Sequence, residues 1–260
     1  MKTQTLSTIL TIAFYTLLEA LRTRLLWVVL LVAVAILGGS LFAQQLAITE
    51  SDRFQTAFLA ALLRPANVFI LSLYIITSMA RDFNERNFEL ILSLDLTRSS
   101  FVLGKLVGFG ALAFLLALLS TGLLAWPAYS GDAILWGTSL LCELWIMAAL
   151  SLFCAITFNQ IMPAASLVLG FYLLARSITA IQMIGGSSLL DATALSHQFM
   201  VFMINSIALV IPRMDTFTQT AWLVNHTGSW NLFVPIALQT LIYCTVLVSA
   251  TLFDTYRKNF

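Results

Sequence analysis

The chain has 260 residues and a formal net charge of +1; 60% of its residues are hydrophobic and only 10% are charged. Water-soluble domains carry about a quarter charged residues, so this composition predicts a polytopic membrane protein. The low net charge argues against a nucleic-acid partner, which requires a strongly basic surface. The first residues, MKTQTLSTIL, do not have the pattern of a cleaved signal peptide. The three cysteines lie in apolar segments without metal-ligand spacing, and we interpret them as packing residues.

Residues 6–23 have the periodicity of an amphipathic helix rather than of a membrane span. The predicted apolar face consists of Leu6, Ile9, Leu10, Ala13, Leu17 and Leu21. The predicted polar face consists of Thr8, Thr11, Tyr15, Glu19 and Arg22. Such a helix is expected to lie in the plane of the membrane interface.

Six apolar segments predict membrane-spanning helices, which need around twenty residues to cross about 30 Å of hydrocarbon. The predicted spans are residues 25–43, 65–80, 101–125, 134–157, 162–184 and 232–252. Arg64 and Pro65 interrupt the second apolar stretch, so we expect Arg64 at the outer interface and Pro65 in the first turn of its helix. The predicted fold is therefore an all-α polytopic membrane protein that forms a single transmembrane domain over residues 1–260.

Residues 187–231, between the fifth and sixth spans, are predicted to be an external helical segment that dips into the outer leaflet. The apolar run at 198–212 is too short to span, and the sequence leaves open whether it is re-entrant or fully external. With six spans and both termini cytoplasmic, nine Lys and Arg residues lie inside and three outside, as the positive-inside rule favours. Trp126, Trp136 and Trp230 would then form an outer aromatic belt.

Two charged residues, Glu143 and Arg176, lie within predicted spans four and five. They are equidistant from the polar turn at Asn159-Gln160, so an antiparallel hairpin would place them at similar depth. Burying charge in lipid costs several kcal/mol unless the charge is paired or faces water. An intramembrane ion pair that locks the hairpin is one interpretation, and a proton relay or substrate contact is the alternative.

Catalytic and nucleotide-binding motifs are not found in the sequence. It contains no HExxH, GxSxG or SxxK pattern, and the segment around Lys105 lacks P-loop spacing. Asp132 and Asp191 are interpreted as turn or cap residues. The Gly104-x-x-x-Gly108 spacing predicts close helix packing. We therefore expect no enzyme activity, no bound cofactor and no metal in this chain.

The segment RDFNERNFELILSLDLTRSSFVLGK, residues 81–105, concentrates charge between spans two and three. Residues 81–100 form the largest predicted cytoplasmic connection. Its apolar helical face would consist of Phe83, Asn87, Leu90, Ile91 and Leu94. On the pattern alone, the segment could lie on the membrane surface or receive a soluble partner.

This connection resembles that of the type-2 family of ABC exporter permeases. Members of that family have an interfacial N-terminal helix, six spans, and a helix between spans two and three that contacts the ATPase subunit. The residues that match the family's pattern are Glu85, Arg86, Glu89, Leu90, Leu92, Ser93, Leu94, Arg98, Gly104 and Lys105. Asn87, Phe88 and Asp95 depart from it, standing where Gly, Thr and Pro are usual.

The resemblance implies a permease subunit that works as a homodimer in the inner membrane of a bacterium. Two separate ATPase subunits would bind ATP and Mg²⁺ in the cytoplasm. The implied ATPase-coupling residues are Glu85, Arg86, Phe88, Glu89, Leu90 and Leu94. Some family members transmit force to a periplasmic partner, which here would meet residues 187–231 near Asp215 and Trp222. The alternative is a non-transporting membrane assembly factor or an intramembrane enzyme on the same six-helix scaffold.

Overall fold

The computed structural model describes residues 2–46, 50–84, 98–126, 128, 130–185 and 195–257. These residues form nine helices and no strands. The helices are α1 (Lys2–Arg22), α2 (Leu25–Leu46), α3 (Ser51–Asn84), α4 (Arg98–Leu124), α5 (Ser130–Phe158), α6 (Ile161–Gly185), α7 (Leu195–Val210), α8 (Thr220–Asn225) and α9 (Trp230–Arg257).

Six of these helices, α2 to α6 and α9, are long and apolar enough to cross a membrane. The prediction of a polytopic all-helical membrane fold is confirmed at this level. Helix α5 lies at the centre and packs against α3, α4, α6 and α9. In its most apolar stretch 78% of the residues are buried, compared with 11% in α9. Helix α9 therefore presents most of its surface to lipid or to another chain.

Helix α3 is much longer than the predicted span at 65–80, because it begins at Ser51 and runs without a break through Pro65. Its 34 residues correspond to about 51 Å of helix, well over the hydrocarbon thickness. Proline lacks an N–H and therefore cannot make the usual bond to the carbonyl four residues earlier, yet α3 continues past it. Arg64 consequently lies inside the helix and is 94% buried, which overturns its predicted place at an exposed helix end.

Helix α1 packs closely against α4, and two glycines make this approach possible. A Cβ added to Gly104 would lie 2.7 Å from Ile12 Cβ, and one added to Gly108 would lie 2.7 Å from Thr16 Cβ. The close packing predicted from the Gly104-x-x-x-Gly108 spacing is confirmed. The buried face of α1 includes Ala13, Thr16 and Ala20, and Ile12 beside them meets α4 at Gly104.

The predicted apolar face of α1 only partly coincides with the buried one. Ala13 is buried, but Leu10 is 61% exposed and Leu17 is half-buried. The reason is that α1 turns towards α4 the face that carries Ile12 and Thr16, which meet Gly104 and Gly108. Leu10 is left on the outer side of the helix, where lipid can cover it.

The chain between α6 and α9 contains α7, a non-helical stretch at 211–219 that we call the anchored loop, and α8. Met214, Phe217 and Thr218 of this loop are fully buried, and Trp222 of α8 is 2% exposed. The anchored loop therefore enters the helix bundle. Trp222, predicted as a contact for an outer partner, is a core residue instead.

The three predicted belt tryptophans have different environments. Trp126 is 92% exposed and Trp230 is 59% exposed, as an interfacial aromatic residue can be. Trp136 has no exposed surface and belongs to the core of α5. The expectation of a belt position is therefore wrong for Trp136, because the face of α5 on which it lies packs against neighbouring helices.

Candidate functional site

The predicted ATPase-coupling residues lie outside the described residues. These residues are Glu85, Arg86, Phe88, Glu89, Leu90 and Leu94. The structure does describe the two helix ends that flank them, namely the last turn of α3 and the first turns of α4. The contacts that hold the two ends of this segment are therefore described.

Four charged side chains form an ion-pair network at this base, which we call the junction network: Glu19, Arg81, Asp82 and Lys105. Lys105 Nζ lies 2.7 Å from Asp82 Oδ2 and 3.8 Å from Glu19 Oε2. Arg81 Nη2 pairs with Glu19 Oε1. The network therefore joins α1, the end of α3 and the start of α4.

Lys105 is the centre of the junction network, since its side chain is only 7% exposed. Its ammonium also lies 5.9 Å from the ring centroids of Phe101 and Phe109, a distance at which an aromatic face attracts a cation. A buried lysine is stable only when it is paired. The helix ends on both sides of residues 85–97 are thereby held in fixed relation to α1.

The second candidate site, within the spans, contains Glu143 and Arg176. Arg176 Nη1 lies 3.9 Å from Glu143 Oε1, so the structure brings the two predicted residues together. Each also makes a shorter contact elsewhere. Thr218 Oγ1 donates to Glu143 Oε2 at 2.8 Å, and Arg176 Nη1 donates to the Met214 carbonyl at 2.7 Å.

The shorter contacts show that Glu143 and Arg176 hold the anchored loop as well as each other. Two further bonds serve the loop backbone: Met214 N–H donates to the Ala175 carbonyl, and Thr218 N–H donates to Ser139 Oγ. Non-helical backbone within a membrane bundle needs such partners, because no lipid group can satisfy it. These bonds explain how the loop enters between α5 and α6.

Thr218 has a backbone conformation that the anchored loop must stabilise. Its φ is +45°, which is rare for a β-branched residue and costs on the order of 1–3 kcal/mol. The bonds to Ser139 and Glu143 offset this cost. At the far end of the segment, His226 Nδ1 lies 2.6 Å from Asp132 Oδ2. The anchored loop is thus attached to the middle of α5, at Ser139 and Glu143, and the segment after it is attached to the first turn of α5, at Asp132.

Arg64 is a third charged residue near Glu143, with which it interacts electrostatically. Its Nε and Nη2 atoms are buried and have no hydrogen-bond partner within the part of the chain that the structure describes. Tyr172 of α6 interacts with both Arg64 and Glu143. The predicted pair is therefore part of a larger polar cluster that reaches α3.

Sequence reasoning missed the junction network and the role of Thr218. Lone charges in apolar surroundings, such as Lys105 in FVLGKLVGF, were the available signal. Their partners are separated along the chain by 23 residues for Asp82 and 86 for Glu19. No local periodicity connects residues so far apart, so only helix packing identifies the pairs.

The described residues contain no group of three or more His, Cys, Asp or Glu side chains placed to hold a metal ion. No family model matches the chain, and neither does any curated protein. The class that the fold defines is a multi-pass α-helical membrane protein.

Proposed function

We propose that the chain is the membrane-spanning permease subunit of an ATP-driven ABC transporter of the exporter type. The observation that carries this proposal is the junction network at the base of residues 85–97. A segment that receives force from a soluble partner must be attached to the spans through stiff contacts. Ion pairs among α1, α3 and α4, of which Lys105–Asp82 is largely buried, supply such contacts at both ends of the segment.

In the proposed mechanism, the charged segment is the docking point for a separate ATPase subunit. Two copies of the chain and two ATPase subunits would form the working unit in a bacterial inner membrane, with both termini in the cytoplasm. Closure of the ATPases around ATP and Mg²⁺ would push on residues 84–95. The spans would then move between inward-open and outward-open states whose populations nucleotide shifts.

The packing of α1 supports this route for the force. Helix α1 contacts α4 along Gly104 and Gly108 and is tied to Arg81 and Lys105 by Glu19. A displacement at the end of α3 or the start of α4 would therefore be shared by all three helices. The anchored loop, attached to α5 and α6, would carry motion to the opposite end of the bundle, where a transported amphiphile or a periplasmic partner would be engaged.

Co-purification tests this proposal. The chain, tagged and extracted from its native membrane, should bring down an ATPase subunit, and Arg86→Ala combined with Glu89→Ala should reduce both the recovery and the hydrolysis rate. The matched control is Arg53→Ala, which removes an exposed cation at the opposite end of α3. If the chain purifies alone and no ATPase gene adjoins its own, the proposal is wrong.

A further inference from the structure

A cleft between α2 and α3 has the features of a phospholipid site. Its volume is about 550 Å³, within the range of small-molecule pockets. One part is apolar and is lined by Val28 and Val32 of α2 and by Phe69 and Leu73 of α3. From Arg24 to Val32 the wall is about 12 Å long at 1.5 Å per residue, close to the depth of one leaflet.

The polar lining of the cleft is concentrated at one end. It consists of Thr23, Arg24, Tyr74, Thr77, Ser78 and Arg81. This is the end where α2 begins and α3 approaches its last residue, so one end of the bundle supplies both arginines. Trp27, 74% exposed, lies one turn from Arg24. An exposed tryptophan beside arginines is typical of the depth at which lipid headgroups lie.

Two buried hydroxyl groups lie near each other at this end. Tyr74 Oη interacts with the hydroxyls of Thr23 and Ser78, but neither Tyr74 Oη nor Ser78 Oγ makes a well-formed hydrogen bond to another described residue. Ser78 is 98% buried. Buried hydroxyls in native proteins usually make well-formed hydrogen bonds, so these two groups have bonding capacity left for a ligand. Both residues line the cleft, so the hydroxyls and the apolar cavity belong to one site.

The charges at this end favour an anionic ligand. Among the described side chains beside the cleft, Arg24, Arg81 and Lys105 outnumber the carboxylates of Glu19 and Asp82. Arg81 is already paired with Glu19, whereas Arg24 is exposed and forms no ion pair among the described residues. Arginine binds phosphate through charge-assisted hydrogen bonds, and basic pockets between spanning helices bind acidic headgroups.

We propose that the α2–α3 cleft binds an anionic phospholipid. The phosphate would lie against Arg24 and the hydroxyls of Tyr74 and Ser78, and one acyl chain would follow Val28, Val32 and Leu73. The occupied cleft would fill the space between α2 and α3 beside the junction network. This site depends only on the membrane fold, and it would stand even if no ATPase partner were found.

Native mass spectrometry of the full chain in neutral detergent tests the site. Phosphatidylglycerol, phosphatidylcholine and inorganic phosphate are titrated separately, and bound lipid and melting temperature are measured. We expect phosphatidylglycerol to bind and raise the melting temperature, and Arg24→Gln to weaken this binding about five-fold, as loss of one interfacial cation implies. Arg22→Gln is the matched control, because Arg22 is exposed at the same end but does not line the cleft.

A second variant tests the acyl-chain part of the site. Leu73→Trp should fill the cleft and reduce the binding of phosphatidylglycerol. Three results would overturn the proposal: equal loss in Arg24→Gln and Arg22→Gln, full retention of lipid in Leu73→Trp, or a melting shift that inorganic phosphate alone reproduces. Because Arg24 is exposed, its variant should fold and give a result in either case.

Discussion

The junction network makes a quantitative prediction for Lys105→Met, which removes the charge and keeps most of the side-chain length. Lys105 is 7% exposed and Asp82 14% exposed, so the substitution leaves a largely buried carboxylate without its cation. Breaking a buried pair in this way costs about 3–5 kcal/mol. Since Asp82 retains some contact with solvent, we expect the lower end, about 3 kcal/mol. At about 2–4 °C for each kcal/mol, the melting temperature should fall by about 6–12 °C.

The assay is thermal unfolding of the purified protein in detergent. The measured quantity is the fraction of protein that remains monodisperse at each temperature. Arg22→Met is the control, as an exposed cation at the same end of the bundle, and should change stability by less than about 0.5 kcal/mol. The double variant Lys105→Met with Asp82→Leu should recover most of the loss, because it removes both charges together. If Lys105→Met matches the control, or if the double variant shows the summed loss of its single variants, Lys105 does not join these helices.

Two further substitutions test the other contacts. Gly108→Ala would place a methyl group 2.7 Å from Thr16 Cβ, so we expect a loss of about 1–3 kcal/mol in thermal unfolding, whereas Gly122→Ala, with nothing within 4 Å, should be neutral or stabilising. Equal melting temperatures would contradict close packing of α1 on α4. Glu143→Ala and Arg176→Ala should each lower the monodisperse yield in size-exclusion chromatography, and Glu143→Gln with Arg176→Met should recover only part of it, because Met cannot donate to the Met214 carbonyl. If the double variant folds but does not support ATP-driven transport, the pair acts in transport rather than in folding.

The sequence was sufficient to predict helices from apolar length, and it located Glu143 and Arg176 within the spans. It misplaced Arg64, because proline is common in the first turn of a helix, whereas α3 continues through Pro65. Trp136 was misplaced for a related reason. Tryptophan prefers the membrane interface on average, but the face of α5 that carries Trp136 packs into the core. In both cases the prediction used the average preference of a residue type, and a specific tertiary contact outweighed that preference.

For residues 81–105, too, the sequence showed the composition and the packing showed the contacts. Its charge density and its Gly104-Lys105 ending were visible in the sequence, and they drew attention to this end of the bundle. That Lys105 is buried between Asp82 and Glu19 was not visible, because ion pairs across helices leave no local pattern. The coupling residues themselves lie outside the described residues, and their role stays a prediction.

By itself, the sequence was enough to predict a multi-pass helical membrane protein, because about 30 Å of hydrocarbon leaves few alternatives to long apolar helices. It also determined where α1 and α4 can approach, through the spacing of Gly104 and Gly108. Tertiary structure decided which charges meet and how the anchored loop enters between α5 and α6. It also decided which polar groups are left facing the α2–α3 cleft. These outcomes depend on distances between residues remote in sequence, and only the packed bundle fixes such distances.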